Sequence, residues 1–139
     1  MNKDSVSEIL RQIVAIPSVN PALSDVESIR GEACLVEWLE PWFARKGFRT
    51  ERIETTPGRP NLLARLGAVH PKKTLLFESH LDTVGVTGFQ GDPFVLREEN
   101  GRLSGRGACD TKGPLAAFMA ALDTDVLVAL EASSTQLVW

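Results

Sequence analysis

The feature that most restricts this chain is an apolar strand-like run, Thr74-Leu75-Leu76-Phe77, that delivers His80-Leu81-Asp82-Thr83-Val84. A Gly-rich turn follows, Gly105-Arg106-Gly107-Ala108-Cys109-Asp110-Thr111-Lys112-Gly113-Pro114, and opens onto the apolar stretch Leu115–Leu122. The first run follows a Pro-Lys-Lys turn and is expected to be a buried strand. Pro114 suits the first turn of a helix. Leu115-Ala116-Ala117-Phe118-Met119-Ala120-Ala121-Leu122 is a strong helix former, apolar nearly all round, and is expected to be buried. A histidine and two aspartates therefore stand at the ends of regular elements, where separate turns can bring them together. Open α/β sheets hold their ligands at such strand ends.

In extended backbone, residues two apart share a side. Asp82 can thus stand behind His80 and accept from one ring nitrogen, leaving the other free for a metal. By itself a His-x-Asp pair reads equally as a loop histidine beside a solvated aspartate, since this spacing is weak evidence. Gly105 and Gly107 allow backbone geometries closed to other residues and a close approach to a site. Asp110, held by that loop ahead of a helix, has two oxygens with which to engage two cations. Its alternative role is a helix cap. A phosphate-binding loop is excluded in detail, because Thr111 precedes Lys112 and Gly113 follows it, where that motif needs Gly and Ser or Thr.

Several segments, in order, resemble the M20 family of metallopeptidases and amidohydrolases, the group of acetylornithine deacetylase, succinyl-diaminopimelate desuccinylase and carboxypeptidase G2-like enzymes. They are Leu75–Val84, Gly91-Asp92-Pro93-Phe94 and Asn100–Ala117, with Arg59–Ala64 similar to the strand ahead of the family's site. The resemblance implies that His80 and Asp110 are metal ligands, Asp110 bridging two divalent ions, zinc or cobalt. It implies that Asp82 orients His80 and is the catalytic residue on this stretch, and that the peptide bond after Asp110 is often cis. Ser79, where many members carry Gly, and Cys109 and Thr111 beside the bridging aspartate are tolerable departures. The implied substrate is an N-acyl amino acid or small peptide, and the resemblance allows a homodimeric complete enzyme.

The family's paired glutamates, a further carboxylate ligand and a C-terminal histidine have no position in residues 1–139, and neither has its lid-like second domain. The expectation is an incomplete catalytic domain over 1–139, inactive alone. The alternative is a short non-catalytic chain or interaction module that keeps half of the fold. His70, beside Pro71, is expected on the surface.

Composition agrees with a small enzyme-like domain. The 139 residues carry a net charge of −3 with scattered Lys and Arg, which argues against a nucleic-acid partner. No apolar run is long enough to span a bilayer, and the start, Met1–Ser5, has no signal core. Two cysteines do not make a disulfide framework. Cys109 is expected to be a buried free thiol rather than a ligand, and the cytoplasm is the expected compartment.

The coarse reading is α/β, helices on a mainly parallel sheet. Helices are expected over 4–15, over 26–46 with a break at Pro41 and a C-cap at Gly47, and over 114–122 with a weaker continuation toward Glu131. Strands are expected over 48–54, 61–66 and 74–78. A hairpin is expected to turn at Asn100-Gly101. Pro17–Asp25 is read as a loop near the site mouth, and Gln136–Trp139 as an apolar strand with an unpaired edge.

Overall fold

The computed structural model describes residues 6–24 and 31–139. The expected helical residues 4 and 5 and 26–30, and the end of the expected loop at Asp25, lie outside the described residues. Two compact units are present. One is drawn from the chain up to Leu35 together with Ser79–Ala120, the other from Val36–Glu78 and Ala121–Trp139.

The second unit is a sheet with helices. Helix α2 (Ala33–Arg45) carries Pro41 inside it without ending there. It stops where Gly47 takes φ 89°. The Phe48 amide donates to the Phe43 carbonyl and the Gly47 amide to the Ala44 carbonyl. These are the paired bonds of a Schellman cap, which glycine closes without Cβ strain. Strands β1 (Arg49–Thr56) and β2 (Arg59–Gly67) follow. Only Pro57-Gly58 joins them, and so short a link forces an antiparallel pair. Strand β2 alternates, burying Leu62, Ala64 and Leu66 on one face.

Strand β3 (Lys73–Leu76) pairs in parallel with β6 (Thr135–Val138), and β6 pairs antiparallel with β2. The strand order is β1-β2-β6-β3. The class is α/β as expected, but the sheet is mixed. Parallel pairing occurs at β3–β6 alone among the described strands.

Two further expectations are corrected here. The last strand is not an unpaired edge: β6 lies between β2 and β3, with Leu137, Val138 and Trp139 buried. Trp139 exchanges backbone bonds with Ala64 and stacks on Phe43 of α2, with ring centroids 4.9 Å apart. The β3 run is not buried. Leu75, Leu76 and Phe77 are 51%, 66% and 41% exposed. The reason is position, because β3 is the end strand of the sheet and its apolar side chains have little packed on them. Helix α4 (Thr124–Glu131) is capped by Asp123, whose carboxylate accepts from the Val126 amide.

The first unit holds the motifs. Helix α1 (Val6–Val14) buries Ile9, Leu10, Ile13 and Val14 at helical spacing. Its Arg11 donates to the Leu96 carbonyl. A short 3-10 helix covers Pro21–Leu23 within the expected loop. Strands β4 (Arg97–Glu99) and β5 (Arg102–Ser104) form the expected hairpin. Asn100 and Gly101 both take positive φ, 51° and 72°, as a tight primed turn requires. Helix α3 (Lys112–Ala121) buries Lys112, Leu115, Ala116 and Met119, a single face. Ala117 and Ala121 are exposed, so the expectation of burial all round is corrected to a one-sided stripe. No single helix among the described residues is long and apolar enough to cross a membrane.

Candidate metal centre

The Gly-rich turn is shaped by contacts that leave no room for side chains. Gly107 sits at φ 77°, and a Cβ there would lie 2.7 Å from Thr83 Cγ2. A Cβ on Gly105 would lie 2.8 Å from Val14 Cγ1. Close approach therefore selects glycine at both positions. The Lys112 amide donates back to the Gly107 carbonyl, folding the turn onto the start of α3. Asp110 comes out at the tip of this turn, its side chain 81% exposed. It caps nothing among the bonds seen here. The peptide bond from Asp110 to Thr111 is cis, as the resemblance implies.

His80 lies four residues after β3 in the chain and meets this turn directly. Thr111 Oγ1 donates to the His80 carbonyl at 2.7 Å and lies 2.8 Å from Ser79 Oγ. Those two bonds fasten the histidine segment to the aspartate segment. Thr111 and Ser79, read from sequence as mere departures from a pattern, thus supply the fastening. Only a three-dimensional contact reveals this, since 32 positions separate them.

The imidazole is gripped from both ends. Nε2 lies 2.8 Å from Asp110 Oδ1. Nδ1 lies 3.0 Å from the Asp82 carbonyl oxygen and 3.4 Å from Asp82 Oδ1. The nearer acceptor behind the ring is therefore the Asp82 backbone, with the carboxylate as a longer contact. Both oxygens come from Asp82, the residue that the same-side argument puts behind His80.

The His80 pKa is raised. Burial opposes the cation, and it is outweighed by the hydrogen bond to Asp110, the bond to the Asp82 carbonyl and the negative charge of both aspartates. A ring nitrogen and a carboxylate oxygen thus lie side by side, and both are ordinary zinc donor types.

These side chains line a cleft of about 320 Å³, bounded also by Leu23, Thr83, Val84 and the Gly105–Cys109 turn. Cys109 is exposed rather than buried. It precedes Asp110 on the turn and lines the same cleft. His70 is exposed, as expected. Among the described residues, no group of three or more His, Cys, Asp or Glu side chains converges for a metal. The chemistry of His80 and Asp110 is compatible with part of a metal centre.

Two further residues attach to the site without having been singled out. Asn20 Nδ2 donates to Asp82 Oδ2 at 2.7 Å. Lys112 Nζ, 2% exposed overall, donates to the Ile16 carbonyl at 2.7 Å. Asn20 falls in the stretch read as a loop near the site mouth, and nothing in its local pattern marks it.

Residues 76–127 match the family model described as Peptidase family M20/M25/M40. A succinyl-diaminopimelate desuccinylase of Beijerinckia indica is 37% identical over 85% of this chain and 30% of its own length. An acetylornithine deacetylase of Vibrio campbellii is 34% identical over 81% of this chain and 29% of its own. Human carnosine dipeptidase 1 superposes with a TM-score of 0.77 at 29% identity, over 98% of this chain and 31% of that one. An M20 family metallo-carboxypeptidase from Sulfolobus solfataricus gives 0.75 at 26% identity, over 97% and 30%. The chain spans about a third or less of the length of these relatives. The motifs, the relatives and the shared fold agree: over the length that it spans, this chain belongs to peptidase family M20/M25/M40.

Proposed function

We propose that His80 and Asp110 are ligands of a divalent metal centre, zinc in the first instance and cobalt as an alternative, in a hydrolase of amide bonds. The observation that carries this is the approach of His80 Nε2 and Asp110 Oδ1 to 2.8 Å, with Nδ1 held from behind by Asp82. When bound, the metal supplies Lewis acidity, activating a water and polarising a carbonyl. This chain's residues hold and orient. The Asp82 carbonyl fixes the ring from behind, so that Nε2 would be free to hold a bound metal, and the Asp82 carboxylate places negative charge beside the ring. Asp110 presents two oxygens, enough to serve a pair of ions. Thr111 keeps the two ligand segments together.

The substrate class is an N-acyl amino acid or small peptide. The support is in the relatives' names, which include a desuccinylase, a deacetylase and a dipeptidase. The setting is the cytoplasm, with neither nucleic acid nor membrane as partner. The complete enzyme holds two ions, and a homodimer is its proposed assembly.

A catalytic zinc generally takes three protein ligands and an open position. Here two candidate donors converge, and among the described residues no glutamate lines the cleft as a general base. That step is worth roughly a hundredfold to ten-thousandfold. The 139 residues alone are therefore proposed to bind zinc weakly and to turn over no N-acyl amino acid.

Calorimetric titration of zinc into the chain and into Asp110→Ala, with N-acetylornithine turnover measured alongside, tests this reading. Weak binding that Asp110→Ala abolishes, without turnover, is expected. Equal zinc affinity in both forms would remove Asp110 from the centre. Measurable turnover would show that an unassigned residue, Cys109 or Glu78 among them, completes a site.

A further inference from the structure

Asp82 has a second neighbour besides His80. Asn20 Nδ2 donates to Asp82 Oδ2 at 2.7 Å, and the other carboxylate oxygen, Oδ1, is the one turned toward His80 Nδ1. The Asn20 side-chain oxygen Oδ1 is also engaged, accepting from the Ala22 amide at 2.9 Å. The two ends of this amide are thus told apart by their partners. Only the NH2 group can donate to a carboxylate, and only the oxygen can accept from a backbone N–H.

The backbone that carries Asn20 is fixed to the backbone that carries Asp82. The Asn20 amide donates to the Thr83 carbonyl at 2.8 Å, and the Thr83 amide donates to the Ser18 carbonyl at 2.8 Å. Val19 and Thr83 form an isolated parallel bridge. From the other side, Lys112 Nζ holds the Ile16 carbonyl. Asn20 is therefore presented to Asp82 by a frame that does not depend on Asn20's own side chain.

A carboxylate's terminal torsion is soft and roughly two-fold. A charge-assisted hydrogen bond to one of its oxygens selects which oxygen faces elsewhere. We propose that Asn20 is a positioning residue for the metal centre: its amide locks the Asp82 carboxylate so that Oδ1 faces the His80 ring, and it acts on the metal only through Asp82. This rests on the reading of His80 and Asp110 as ligands. Groups that orient a ligand from behind change metal affinity by about 10- to 100-fold when removed.

The test is a double-mutant cycle on the 139-residue chain with Asn20→Ser and Asp82→Ala. Serine keeps a capping oxygen for the Ala22 amide but is too short to reach Asp82. Zinc affinity is measured by calorimetry, and the His80 ring nitrogen shifts are measured by NMR without metal. Asn20→Ser should weaken zinc binding about tenfold and move the ring shifts when Asp82 is present. Both effects should vanish in the Asp82→Ala background. A purely structural role would persist in that background and overturn the proposal, as would unchanged affinity and shifts in the single variant. If the parent chain takes up no zinc, the metal reading fails by itself, and the NMR arm of the cycle still decides whether Asn20 acts through Asp82.

Discussion

Raising the pH should stabilise this protein through Lys112. The residue is 2% exposed and its ammonium donates to one carbonyl, that of Ile16. Burial pushes its pKa down from the ordinary 10.5 to about 8. Unfolding returns the lysine to water and to its ordinary value. Between pH 8 and 10.5 the unfolded chain then binds more protons than the folded one, so stability rises with pH across that window. Put the other way, the fold bears the full cost of a buried cation below pH 8 and is relieved of it as the pH approaches 10.5. At about 1.4 kcal/mol for each pH unit between the two values, the cost is about 3 kcal/mol, most of it recovered by pH 10. Lys112→Met serves as the control. It removes the titrating group but strands the Ile16 carbonyl, at about 1–3 kcal/mol. At pH 7 the two effects oppose each other, so the pH slope carries the information and the neutral value does not. The chain has no tyrosine, which keeps phenol titration out of the alkaline range. Urea unfolding followed by far-ultraviolet circular dichroism from pH 7 to 10 should show wild-type stability climbing relative to Lys112→Met by about 2–3 kcal/mol. Parallel profiles for the two proteins would refute the burial argument for Lys112.

Other perturbations have equally definite outcomes. Gly107→Ala forces a Cβ against Thr83 at a positive φ and should cost about 1–3 kcal/mol, measured by denaturant midpoint. Trp139→Ala removes a buried indole stacked on Phe43 and should cost about 3–5 kcal/mol, with collapse of the near-ultraviolet dichroism. Gly47→Val should lose about 1 kcal/mol or more by straining the α2 cap, visible as faster amide exchange at Phe48. In a complete enzyme carrying this segment, Asp82→Ala should lower turnover of an N-acetyl amino acid far more than it lowers metal content. Unchanged turnover would show that the carboxylate plays no part.

Much of the local structure could be read from sequence because it depends on short-range chemistry. The α1 stripe at Ile9, Leu10, Ile13 and Val14, the Asn100-Gly101 turn and the Gly47 cap each follow from residues within a few positions of one another. The residue types around His80 and Asp110 are likewise plain in the sequence, but the contacts that require Gly105 and Gly107 come from Val14 and Thr83, far off in the chain.

Long-range pairing was settled by the tertiary structure alone. An apolar tail such as Gln136–Trp139 reads the same whether it ends a sheet or fills its middle, because strand pairing is a choice among distant partners. Here β6 enters between β2 and β3, roughly sixty to seventy residues away in the chain. That insertion buries Trp139, leaves Leu75 and Leu76 on the end strand, and makes the sheet mixed. The partners of the site side chains were hidden for the same reason. Asn20 meets Asp82 across 62 positions, Thr111 meets His80 across 31 and Lys112 meets Ile16 across 96. Sequence spacing shows which side chains can hold a cation, but only the fold brings up the groups that hold those side chains still.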